Sequence, residues 1–145
     1  MNSLFKVSAK NHAGMLLMSI LAERYEILKN KSVAYVESYV SLKDVAKQMD
    51  LSQKFLEEIA SILKNVELIE GRRGPGGGYR LARDPRFISA YEIITALEGP
   101  ITGLSCESNF CPVADKCVSK SLWKFLHKDL IKSLRNTTLN QIIKL

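Results

Sequence analysis

Three cysteines, Cys106, Cys111 and Cys117, fall within twelve residues in the pattern C-x4-C-x5-C, with Phe110 before and Pro112 after the middle one. The thiolate is both the nucleophile and the soft metal ligand among the forms of cysteine. Three thiolates on one loop can converge on a single centre, which side chains on separate rigid helices rarely manage. They would fill three of the four ligand positions of an iron–sulfur cluster. They would equally supply a Cys₃-X zinc site, or they are small apolar groups holding no metal. The spacing leaves all three readings open. An odd number of cysteines crowded together argues against a disulfide framework and for a reducing, cytoplasmic setting.

The second chemically distinctive stretch is Arg73-Gly-Pro-Gly-Gly-Gly-Tyr-Arg-Leu81. It joins two short apolar segments, Val66–Ile69 and Tyr79–Leu81, through a turn edged with arginine. Glycines permit positive φ, and Pro75 cannot donate to a ladder, so the segment predicts a β-hairpin with a thin cationic tip. Such a finger suits a DNA minor groove, where narrow A·T-rich stretches concentrate negative potential. A phosphate-cradling enzyme loop would require a helix after the glycines, usually opened by Lys-Ser/Thr. Tyr-Arg-Leu-Ala follows here and reads as a strand.

Helical patterns surround both stretches. Leu16, Leu17, Ile20, Leu21 and Leu28 form an apolar stripe over about 11–29. Asn30–Val40 is β-prone with weak alternation and reads as a loop with a short strand. Ser41 and Asp44 match a capping box opening a short helix. Met49-Asp50-Leu51 makes a turn, and Ser52 caps a helix to about Lys64 whose inward residues are Phe55, Leu56, Ile59, Ala60 and Leu63. Two helices so spaced fit a helix-turn-helix. Its second helix would place Ser52, Gln53, Lys54 and Glu57, with Phe55 partly exposed, in a major groove. Lys54 can donate to guanine O6 and N7, a contact worth roughly 1–3 kcal/mol of discrimination. Glu57 can accept from cytosine N4 or repel DNA where no cytosine faces it. The alternative is a solvated face with Lys54 and Glu58 paired at i, i+4.

Beyond the hairpin, Ser89 and Glu92 form a second capping box for a helix through Leu97, ended by Gly99-Pro100. The cysteine-bearing residues 101–118 read as a structured loop. A long helix follows from about Ser119 to Arg135, with Leu122, Leu126, Leu130 and Leu134 at i, i+4 spacing and Trp123 and Ile131 beside them. That stripe needs cover, either from the first helix or from a second subunit.

The whole-chain properties agree. Of 145 residues, 46% are hydrophobic, enough for a core, and the net charge of +6 favours a polyanionic partner. No run approaches the roughly 18 apolar residues of a membrane span, and the N-terminus shows no secretory pattern. No acid–base pair or activated nucleophile marks an enzyme, and no small-molecule substrate is expected.

In this order the elements resemble the family of bacterial winged-helix transcription regulators that includes IscR, NsrR and CymR. The resemblance rests on Lys6–Lys10, Ser41–Ala46, Phe55–Ile59, Arg73–Leu81, Leu97–Pro100, the Cys106–Cys117 loop, Leu122–Trp123 and Thr137–Leu139. The stretch Glu23–Val40 is longer than family members usually have. The resemblance implies a mostly α fold with a small β-hairpin. Residues 1–100 would form a winged helix-turn-helix domain, 101–118 a cluster-binding loop, and 119–145 a dimerisation helix and tail.

It further implies a homodimer on a double-stranded operator, with Arg73 as the wing arginine and Glu57 taking part in target selection. Arg72, Arg80 and the Gly74-Pro75-Gly76 tip would add phosphate or groove contacts. Cys106, Cys111 and Cys117 would hold a 2Fe–2S or 4Fe–4S cluster sensing iron, redox state or nitric oxide. The cysteine spacing is closer to that of NsrR than to that of IscR. Where IscR-like members carry a histidine, this chain has Lys120, a poor ligand while protonated. His12 falls where NsrR-like members use a carboxylate from the partner subunit, which makes it the candidate fourth ligand; His127 is expected to be structural or solvated. The alternatives are a metal-independent ligand-sensing repressor of the same fold and a winged-helix interaction module that binds no DNA.

Overall fold

The computed structural model describes residues 7–31, 39–102 and 111–145. Six helices, α1 (Ala9–Asn30), α2 (Leu42–Met49), α3 (Gln53–Asn65), α4 (Ala90–Glu98), α5 (Val118–Asn136) and α6 (Leu139–Ile142), accompany one hairpin of β1 (Ile69–Arg72) and β2 (Gly78–Leu81). The expectations for residues 1–6, 32–38 and 103–110, Cys106 among them, lie outside the described residues.

Helix α1 is central because both flanks of its stripe find cover. Ala13, Leu17, Met18, Leu21 and Ala22 are buried, and the helix packs on α3, α4, α6 and β2. Its Ser8 cap accepts from the Asn11 amide at 3.0 Å, satisfying one of the orphan first-turn donors. Gly14 lets α4 approach closely, since a Cβ there would lie 2.3 Å from a Leu97 methyl. Leu42, Val45 and Ala46 of α2 and Leu56, Ile59, Ala60 and Leu63 of α3 complete the same core.

The two expected capping boxes differ. Around Ser89 both halves form, with the Glu92 amide donating to Ser89 Oγ at 3.2 Å and the Ser89 amide to Glu92 Oε2 at 2.9 Å. Ser41 caps α2 without a side-chain bond. Asp44 is one methylene shorter than the glutamate such a box normally uses, and the first turn is held instead by the Val45 amide on the Ser41 carbonyl at 3.2 Å.

The first apolar segment of the hairpin also begins later than its composition suggests. Val66 is the exposed C-cap of α3, and Glu67 turns the chain with φ of 59°. The Leu68 amide reaches back to the Leu63 carbonyl and the Glu67 amide to that of Lys64, both at 3.0 Å. That is a Schellman ending with glutamate where glycine is usual. Pairing therefore starts at Ile69, opposite Leu81, with both side chains in the core and the tip in solvent.

No residue of α5 is buried. Val118, Leu122, Phe125 and Leu126 are exposed, while Leu130, Ile131 and Leu134 are half-buried. Steps of four residues drift about 40° around a helix, so a leucine row twelve residues long rotates by roughly a third of a turn. Leu122 and Leu126 consequently face out and Leu130 and Leu134 face the rest of the chain. After α5 the chain returns: Thr138 and Gln141 form a further capping box, and Leu139 is fully buried in the core.

Candidate nucleic-acid interface and cysteine region

Helix α3 presents its first turn to solvent. Ser52 caps it, accepting from the Phe55 amide at 3.4 Å, and Gln53, Lys54 and Glu57 are exposed. Phe55 is half-buried against the core, as expected of a residue at the edge of the inward stripe. Glu57 accepts from Gln53 Nε2 at 3.1 Å, which offsets part of its charge without burying it. No Lys54–Glu58 ion pair forms, leaving the Lys54 ammonium to solvent.

The tip of the hairpin is a tight turn closed by the Gly77 amide on the Gly74 carbonyl at 2.9 Å, with Arg73, Gly74, Pro75 and Gly76 all exposed. The resemblance sets Arg73 apart as the wing arginine, with Arg72 and Arg80 as additional contacts, and the structure gives the three different surroundings. Arg72 Nη2 donates to the Gly76 carbonyl at 2.8 Å. Arg80 pairs with Glu70, its neighbour across the ladder, and its side chain is mostly covered. Arg73 alone of the three makes no hydrogen bond or ion pair among the described residues.

Sequence reasoning missed the aromatic that organises this edge. Val40 pairs with Tyr79 through two backbone bonds, Val40 amide to Tyr79 carbonyl at 2.8 Å and the reverse at 2.9 Å. That brings the Tyr39 ring against the guanidinium groups of both Arg72 and Arg80, at 4.4 and 4.6 Å from its centroid. The β-prone composition of Asn30–Val40 predicts a loop with a short strand, of which the described residues carry a bridge at Val40, yet nothing local signalled its partner Tyr79.

A second polar knot braces the hairpin's exit. Asp84 accepts from Arg86 Nη2 at 2.7 Å, from Tyr25 Oη at 3.3 Å and from Lys29 Nζ at 3.4 Å. The bond from Arg86 holds the Asp84 carboxyl far below the usual carboxylate range, with Lys29 assisting. It thus fastens the end of α1 to the segment between β2 and α4.

Of the cysteines, Cys111 and Cys117 are half-buried free thiols flanking a 3₁₀ turn, Ala114–Lys116. The Ala114 amide bonds the Cys111 carbonyl at 3.2 Å, bending the chain. Cys117 is the N-cap of α5 and its sulfur makes no capping bond. Cys106 lies outside the described residues.

His12 is exposed in the first turn of α1, on the wall of an apolar cleft of about 650 Å³ shared with Glu98, Pro100, Thr102, Leu130 and Leu134. Glu98 accepts a hydrogen bond from Ser8 at its rim. Thr102 is four residues ahead of Cys106, a span of at most about 14 Å of extended chain. His127 lies ten residues beyond Cys117 on α5, about 15 Å along the axis, apart from the cysteine segment.

Comparison with known proteins agrees with this architecture. Residues 7–145 match the Rrf2 family, described as an iron-dependent transcriptional regulator. The HTH-type transcriptional regulator IscR of Klebsiella pneumoniae is 33% identical over 105 residues, covering 72% of this chain and 64% of that protein. The chain thus spans just under two thirds of that curated relative's length. Among solved structures, T. potens IscR superposes with a TM-score of 0.72 at 34% identity, covering 97% of this chain and 87% of the other. CymR, the global cysteine regulator of B. subtilis, does so at 0.73 and 28% identity, covering 97% of each.

Proposed function

The chain belongs to the Rrf2 family of transcriptional regulators, a family of regulators and not of enzymes, and from that premise we propose that it binds a double-stranded DNA operator sequence-specifically as a homodimer. The observation that carries this reading is the pairing of an open recognition turn with an unengaged arginine. Ser52, Gln53, Lys54 and Glu57 stand exposed on α3, and Arg73 stands exposed at the tip of the hairpin that follows three residues later. The helix turn serves the major groove, with Lys54 as donor to guanine and Glu57 as acceptor for cytosine N4. Arg73 serves the minor groove, and Gly74, Pro75 and Gly76 keep its mount thin.

The exposed Val118, Leu122, Phe125 and Leu126 on α5 support a second copy as the cover for that helix. A two-fold dimer sets half-sites roughly 34–36 Å apart. Among the described residues no helix is long and apolar enough to cross a membrane, and this reading places the protein in the cytoplasm with DNA.

Arg73→Ala is the direct test. Duplex affinity is expected to fall about tenfold and the slope of log affinity against log salt by about one, with the melting temperature unchanged. Full affinity at matched salt would overturn the wing assignment.

The same reading assigns Cys106, Cys111 and Cys117 to an iron–sulfur cluster with His12 as the fourth donor. Once bound, such a cluster supplies a centre whose charge and integrity respond to iron supply, redox state or nitric oxide. The chain contributes the coupling: His12 opens α1, the helix on which the DNA-binding head is packed, so a bond from His12 biases the placement of α3 and the wing. An affinity change then measures the difference in binding free energy between two states, with tenfold equal to about 1.4 kcal/mol.

Anaerobically purified protein is expected to contain iron and sulfide and to absorb in the visible, and His12→Ala is expected to lower its iron content. Colourless, iron-free protein with unchanged duplex binding would instead favour a metal-independent sensor. Lys120 at the position of the IscR-type histidine is the observation on that side.

A further inference from the structure

The wing carries three arginines, and only two have a place prepared for them. Arg72 and Arg80 both stack on Tyr39, whose ring centroid lies 4.4 and 4.6 Å from their guanidinium carbons. Tyr39 belongs to neither strand. It is held there because Val40 pairs with Tyr79, and that pairing requires Gly78: a Cβ at residue 78 would stand 2.1 Å from the Val40 carbonyl oxygen. One face of the hairpin then reads, in space, Glu70 bonded to Arg80, Arg80 on Tyr39, Tyr39 on Arg72, and Arg72 on the Gly76 carbonyl at the tip.

We propose that Tyr39 is a positioning residue for DNA binding: its ring fixes the plane of the exposed Arg72 guanidinium so that the donors not used by Gly76 face a phosphate. This rests on the DNA-binding reading above. The physical case is one of pre-organisation. An arginine on a solvated strand must surrender rotamer freedom on binding, more than most side chains because it is so long. One already stacked and bonded at one end has lost much of that freedom in the unbound protein. A stack leaves the edge N–H groups of the guanidinium free to donate, since the ring contacts its face. Arg80, tied to Glu70 and mostly covered, is the base of the stack and not itself the contact.

The test uses the full chain and a duplex selected by the wild-type protein from a random pool. Tyr39→Leu is expected to weaken binding about five- to tenfold and to lower the salt slope by about one, while Tyr39→Phe, which keeps the ring, stays within about twofold of wild type. In an Arg72→Ala background Tyr39→Leu is expected to add nothing. A purely structural role would instead lower the melting temperature, spare the salt slope, and add its effect to that of Arg72→Ala.

Wild-type affinity for Tyr39→Leu, or simple additivity in the cycle, overturns the proposal. Side-chain NMR of the unbound protein supplies an arm independent of DNA. The Arg72 and Arg80 Hε resonances should carry ring-current shifts that vanish in Tyr39→Leu, and their absence in wild type refutes the stack. If wild-type protein selects no duplex at all, the DNA-binding reading fails, whatever the spectra show.

Discussion

Leu139→Ala is expected to lower the free energy of unfolding by about 3 kcal/mol, within the range for truncating a fully buried leucine. Leu139 is the first residue of a four-residue helix near the end of the chain, an element that on its own would fray. It holds because it is stitched at its start. The Leu139 amide donates to the Ile88 carbonyl at 2.7 Å, and the Ala90 amide donates to the Thr137 carbonyl at 2.8 Å. Two capping boxes, Ser89 with Glu92 and Thr138 with Gln141, sit on either side of that bridge.

The leucine side chain belongs to the main core, where α6 packs on α1 and on the Pro85–Phe87 turn. Truncation leaves a cavity there and loosens the exit of α5 from the DNA-binding head. Urea titration measures the first effect. Proteolytic cleavage after residue 136 at sub-denaturing urea measures the second. A loss below about 1 kcal/mol would show that the tail is an adornment and not part of the core.

Gly78→Ala is expected to cost a further-reaching loss, about 3 kcal/mol together with most duplex affinity. Residue 78 has φ of 140°, and its new Cβ would meet the Val40 carbonyl at 2.1 Å and the Ser41 nitrogen at 2.9 Å, all backbone. Relief means parting Val40 from Tyr79. Losing two hydrogen bonds at about 1 kcal/mol each, with strain of about 1–2 kcal/mol for the φ, accounts for the figure. Parting those strands also withdraws Tyr39 from the wing arginines and moves the entry to α2. Gly74→Ala is the control: its φ of 93° is strained as well, yet nothing lies within 4 Å of the added atom. It should cost about 1–2 kcal/mol and leave the Val40 bridge intact. Equal losses for the two variants would mean that φ, and not the close approach, makes Gly78 necessary.

Much of the fold was legible in the residues. Ser52 and Ser89 each cap a helix as their positions predict, and apolar periods placed α1, α3 and α4 within a residue or two of their ends; the caps at Ser8 and Thr138 were not read from the sequence. The wing turn was legible because glycine and proline act through φ, a property of the single residue. The departures share a different cause. Ser41 and Asp44 have box-like spacing, but spacing does not tell whether a side chain is long enough to close it. Val66 is β-prone and yet caps α3, because the Leu68 and Glu67 amides satisfy the last carbonyls of the helix first.

Features written into contiguous residues were therefore determined by the sequence itself: an arginine-tipped hairpin beside a capped helix, and three thiols within twelve residues. Which arginine is left unengaged, and that Tyr39 lies under the other two, was decided by the tertiary structure. So was the placing of His12 on one cleft with its own Thr102. The reason is distance. A turn or a cap depends on torsions within a few residues, whereas stacking Tyr39 on Arg72 and Arg80 needs contact across more than thirty positions, set by how every element between them packs.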